Sequence, residues 1–229
     1  MALPDIPRLY TALAECLSVL LITPTLVPRF SKMVTAGVTL LWAAVLSAFL
    51  GLTGNVPGRF WIPCMAAAIG LSYLYLWGVW HITLLEAGYH CARAFILAEL
   101  AASVEWQLHC ALWSPRRPWE PLSLLLLVLV YGALFGGMSC LLHRRPQPAG
   151  HLEISGGAAL TAVMLALTAF AVSNLGFLPG SEINMSVFSI RTLVDFSGVL
   201  ILSVQHEQLR ENALHSELAA MDEVLHRQY

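Results

Sequence analysis

What most constrains this chain is a succession of apolar windows, each close to the roughly 20 helical residues that cross a bilayer core about 30 Å thick. Six are clear, at about 9–27, 33–52, 60–80, 122–142, 157–177 and 188–204. Turn signals separate them: Pro28-Arg29 after the first, the glycines of 51–58 after the second and those of 176–181 before the last. Phe60-Trp61 at the start of the third window, with Trp77 and Trp80 at its end, fit aromatic belts at the two membrane faces.

Composition agrees with membrane insertion. The chain is 58% apolar and 11% charged, against about 45–50% and about 25% in a soluble domain. A net charge of -2 with a single lysine, Lys32, leaves no basic stripe to neutralise phosphates, which excludes nucleic acid as a partner. The cysteines Cys16, Cys64, Cys91, Cys110 and Cys140 are odd in number, lack C-x-x-C spacing and fall in apolar segments, so reduced buried thiols are expected, with no metal site. Pro4 and Asp5 spoil the basic start of a signal peptide, and the first window is read as a permanent span.

A further segment, about 91–113, is apolar overall but carries Arg93, Glu99, Glu105 and His109. Acids or arginine at a helix centre cost roughly 2.5 to 3.5 kcal/mol each on insertion scales, so this helix belongs in a bundle interior or partly at the interface. The fold expected is therefore an all-α polytopic transmembrane bundle of six or seven helices.

Ionisable groups inside a membrane are the first candidates for function. Glu105 and His109 share a helical face, as do Arg191 and Asp195, and as do Glu86 and Arg93. Arg191 and Asp195 read either as an ion pair within their own helix or as part of a ligand-sensing cluster. Glu99 and Glu105 lie about 240° apart around a helix, so they cannot serve one narrow site. Glu105 and His109 are the pair expected nearest any ligand or signal-coupling contact, with Glu99 a packing partner of Arg93 or Arg191. Gly132 and Gly136 form a G-x-x-x-G that reads more readily as packing within the chain than as a dimer contact. No protease, hydrolase or phosphate-loop signature is present.

Residues 205–229 differ from the rest, with two arginines against five acids. The last window runs into them without Gly or Pro, and Leu214, Leu218, Met221 and Leu225 are spaced 4, 3, 4 as in a heptad seam. A short coiled coil and a surface amphipathic helix both fit two heptads. No capping glycine, proline or basic cluster closes the helix before Tyr229, so it is expected to continue into an output domain. Domain boundaries follow: a transmembrane sensing domain over 1–204, and over 205–229 the start of a signalling and dimerisation helix. His206, His215 and His226 read as solvated helix positions.

The strings PDIPRLYTALAE, RAFILAELAASVEWQLH and HEQLRENALHSELAAMDEVLHRQY resemble the N-terminal sensing region of multi-pass sensor histidine kinases with a GHKL-type ATPase domain, the class that includes Gram-positive peptide receptors. The resemblance implies a homodimer in the bacterial cell membrane, its C-terminal tail in the cytoplasm, a peptide or small-molecule signal, and a response regulator as downstream partner. ATP and Mg are expected only in a following domain, because no nucleotide box is present in these residues, and no cofactor is assigned to them. Arg29, Lys32, Arg144 and Arg145 favour a cytoplasmic tail, while Arg116 and Arg117 oppose it. The competing reading is a small transporter or channel-like protein with Glu99, Glu105 and His109 along a polar path.

Overall fold

The computed structural model describes residues 6–56, 58–112, 120–143, 152–174 and 185–228. Among these the chain forms seven α-helices and no strand: α1 (Arg8–Ile22), α2 (Lys32–Leu52), α3 (Gly58–Val79), α4 (Leu84–Leu112), α5 (Pro121–His143), α6 (Gly156–Ser173) and α7 (Met185–Gln228). Five of them, α2, α3, α5, α6 and α7, are long and apolar enough to cross a membrane. The all-helical, multi-pass expectation therefore stands. The arginine pairs 116–117 and 144–145, Trp113 and the loop at 176–181 lie outside the described residues.

The first and fourth windows differ from their expected limits. The helix of the first ends at Ile22, five residues short of Val27, and passes into a 3-10 turn at Thr23–Thr25. Pro24, which has no N–H to offer a helix, starts that turn, and the hydroxyls of Thr23 and Thr25 donate to the carbonyls of Leu20 and Ile22 at 3.0 and 2.8 Å. The fourth helix begins at Leu84, seven residues before Cys91. A reciprocal capping box sets that start: the Thr83 amide donates to Glu86 Oε2 at 2.7 Å, and the Glu86 amide to Thr83 Oγ1 at 3.3 Å. Two otherwise orphaned amides are satisfied at once. Glu86 thus serves the helix end and does not pair with Arg93 along the face they share.

Helix α4 is the axis of the bundle, packed against α1, α3, α5, α6 and α7. Its small residues, Ala87, Ala94, Ala98, Ala101 and Ala102 among them, are buried and let the neighbours approach closely. This encirclement resolves the cost read from the sequence, since Glu99, Glu105 and His109 never meet lipid. Helix α2 shows the opposite pattern. Leu40 and Leu41 face outward, while Trp42, Leu46 and Leu50 pack inward, with Trp42 stacked on Tyr75 at 4.4 Å. On outward faces, Thr161, Thr168 and Ser197 donate to the carbonyl four residues back at 2.8–2.9 Å, so these three hydroxyls are not left bare toward hydrocarbon.

The turn after α1 is tied to the turn after α3. Pro28 pairs with Trp80 across an antiparallel bridge, and Arg29 Nε donates to the Trp80 carbonyl at 2.6 Å. At the opposite ends, the Arg8 guanidinium lies over the Trp61 ring. Trp61 and Trp80 are therefore buried in the bundle, and only Phe60 and Trp77 face outward as belt residues would.

Candidate functional site

The polar groups of the bundle gather on two sides of α4. On the side facing α6 and α7, Arg191 Nη2 donates to Glu99 Oε2 at 2.6 Å, and Ser173 Oγ donates to the same oxygen at 2.6 Å. One turn further along α4, Ser103 Oγ donates to Asp195 Oδ2 at 3.4 Å. Arg191 thus donates between helices, to Glu99, while Asp195, which its spacing within α7 also offered, stays within electrostatic reach. A polar crevice of about 20 Å³ opens beside this cluster, lined in part by Arg8, Glu99, Ser173, Asn174 and Arg191.

On the other side of α4, Glu105 and His109 are wholly buried. The His109 ring lies nearly parallel to Trp106, centroids 4.8 Å apart, and Tyr10 of α1 meets Trp106 edge-on at 6.4 Å. Tyr131 of α5 donates to the Tyr10 carbonyl at 2.9 Å. Glu105 lies within electrostatic reach of Tyr10 and Tyr131, and among the described residues neither of its carboxyl oxygens has a hydrogen-bond partner. Glu99 and Glu105 thus look to different helices, as their 240° separation requires.

A further buried acid, Glu15 on α1, was not singled out from the sequence. Its side chain lies against α3 and α4 beside Ser72, next to a gap of about 10 Å³. The signal was available, because Glu15 stands seven residues into the first apolar run and carries the same insertion cost as Glu99.

Arg93 lies apart from these clusters, toward the end of the bundle from which α7 emerges. Its guanidinium sits 5.6 Å from the Tyr89 ring, and Tyr89 in turn stacks on His206 at 6.3 Å. His206 is half-buried with Nδ1 enclosed, which corrects the expectation of a solvated position; His215 and His226 are exposed as expected. The G-x-x-x-G is corrected as well. Gly132 and Gly136 are exposed, and a Cβ on either would meet nothing within 4 Å, so this face packs against no helix among the described residues.

No family model, curated protein or solved structure matches this chain.

Helix α7 carries the candidate site outward. It is one unbroken helix of 44 residues, about 66 Å long at 1.5 Å per residue. Asp195 lies by Ser103, Gly198 by Ile96 and His206 by Tyr89, so its first half runs antiparallel to α4. Its last half leaves the bundle. There Leu214 is half-buried, and Leu218, Met221 and Leu225 are 59%, 57% and 55% exposed.

Proposed function

We propose that this chain is the signal-input and dimerisation region of a bacterial two-component sensor histidine kinase of the GHKL type. It lies in the cell membrane with its tail in the cytoplasm. The observation that supports this most is α7, a single helix joined to α4 by the Glu99–Arg191 pair and running out of the bundle with Leu218, Met221 and Leu225 exposed. A shift or rotation of α4, produced when a peptide or small molecule engages the bundle, reaches the tail because no Gly or Pro interrupts the helix after Gly198. A following kinase domain, which would bind ATP and Mg and pass phosphate to a response regulator, reads the phase of that helix. Glu105 and His109 are the coupling pair nearest the signal, and Arg93, Glu99, Arg191 and Asp195 hold the seam through which it passes. The competing reading, a small transporter, has in its favour the buried acids Glu15, Glu99, Glu105 and Asp195, none of which caps a helix as Glu86 does.

A helix-phase experiment tests the proposal. The chain is joined after Tyr229 to the dimerisation helix and kinase domain of a characterised membrane kinase, and three, four or seven residues are inserted between Asn212 and Ala213. Kinase output is expected to change about tenfold with three or four inserted residues, which rotate the seam, and to return with seven, which restore it. Output indifferent to insertion length would leave the transporter reading ahead.

A further inference from the structure

The end of the bundle from which α7 emerges holds a cavity of about 380 Å³, enclosed by α4, α5 and the middle of α7. One wall is apolar, formed by Met138, Leu141 and Leu142 of α5 and Val204 of α7, and the rest is polar or charged. We infer that this cavity is a headgroup site for a zwitterionic phospholipid of the membrane, one that carries both a phosphate and a primary ammonium. The inference is independent of whether the tail leads to a kinase.

Charge accounting on the cavity wall points to that chemistry. Arg210 is 5% exposed, donates through Nη2 to Glu207 Oε1 at 2.6 Å, and presents an enclosed Nε with no hydrogen-bond partner among the described residues. Those two charges answer each other. Arg93 and Glu211 remain, one cation and one acid, and neither is in an ion pair among the described residues. Arg93 rests against the Tyr89 ring and lies within electrostatic reach of His206. The planar guanidinium of Arg93 suits phosphate oxygens, and the exposed Glu211 carboxylate suits an ammonium with N–H donors.

The position fits as well. The cavity lies where the apolar window of α7 ends, at Val204, and its polar run begins, which is headgroup depth. The α5 wall continues the lipid-facing surface, so the acyl chains would leave along Met138 and Leu141 without crossing polar groups. A purely anionic lipid would satisfy Arg93 but set a further negative charge beside Glu211. A choline headgroup would match the charge yet offer Glu211 no hydrogen bond.

The protein, stripped of lipid in detergent, is titrated with phosphatidylethanolamine, phosphatidylcholine or phosphatidylglycerol, and the bound fraction is read by native mass spectrometry. Phosphatidylethanolamine is expected to bind at least fivefold more tightly than the other two. Arg93→Gln should weaken it about tenfold, and Glu211→Gln, an exposed change that leaves packing intact, should erase its advantage over phosphatidylglycerol. Equal binding of the three lipids overturns the inference, as does a preference that survives Glu211→Gln. Soluble phosphoethanolamine that displaces the lipid at equal concentration overturns it too, because a free metabolite would then be the occupant.

Discussion

Arg191 on α7 and Glu99 on α4 meet at 2.6 Å in the interior of the bundle, 92 residues apart in the chain. Both are shielded, with side chains 11% and 4% exposed, and Ser173 of α6 shares the same carboxylate oxygen. Three helices are thereby pinned at one oxygen. Breaking a buried pair by removing one partner costs about 3–5 kcal/mol, whereas removing both together costs much less. Arg191→Gln and Glu99→Gln are each expected to lower the detergent melting temperature clearly, and the double variant should recover more than half of the loss. Additive losses in the double variant would mean that the pair does not bind α7 to α4.

Gly198 lets α7 approach α4 closely, since a Cβ there would sit 3.0 Å from Ile96 Cγ2. Gly198→Ala should therefore destabilise by about 1–3 kcal/mol as overpacking does, against the gain that the same change usually brings in a helix. Ile96→Ala in the same chain removes the clashing methyl and should restore part of the stability. Denaturation followed by tryptophan fluorescence reads both.

Thr83→Ala removes the hydroxyl half of the box that starts α4 and should cost about 1 kcal/mol. The accompanying fraying of the first turn of α4 is read by faster hydrogen exchange at Glu86 and Ala87. Unchanged exchange there would place the start of α4 under the control of packing alone.

Glu105 differs from Glu99 in having no hydrogen-bond partner for either carboxyl oxygen among the described residues, so its loss leaves no orphaned ion. Glu105→Gln is expected to leave abundance and melting temperature within error of the parent and to change the output of an attached kinase at least threefold. Parental output from both Glu105→Gln and His109→Ala at equal abundance would remove the pair from the coupling path.

Most of the fold was legible because hydrocarbon leaves few options for a backbone, and a window of some 20 apolar residues has one solution. The placement of α4 inside the bundle followed from the cost of Glu99 and Glu105, and their divergence followed from helical angle alone. The partner of Arg191 did not follow, because both Asp195 on its own helix and Glu99 across the interface satisfied the spacing, and only the three-dimensional fold chose between them. His206 escaped for a related reason. Its position past the apolar run suggested water, but Tyr89 and Arg93 project from α4 to meet it. The exposure of Gly132 and Gly136 was equally hidden, since a small-residue face looks the same whether a helix or lipid covers it.

The proposed pairing of α7 with a second copy of itself is tested most directly by cysteine cross-linking along the tail in native membranes. In a chain whose Cys64, Cys110 and Cys140 are alanine, single cysteines are placed at Leu214, Leu218, Met221 and Leu225, and as outward controls at Ser216 and Glu223. The account expects rapid disulfide dimers at the four seam positions and at least fivefold less at Ser216 and Glu223, the heptad pattern of a parallel pair. Uniform cross-linking at all six positions, or none at the seam, would contradict it.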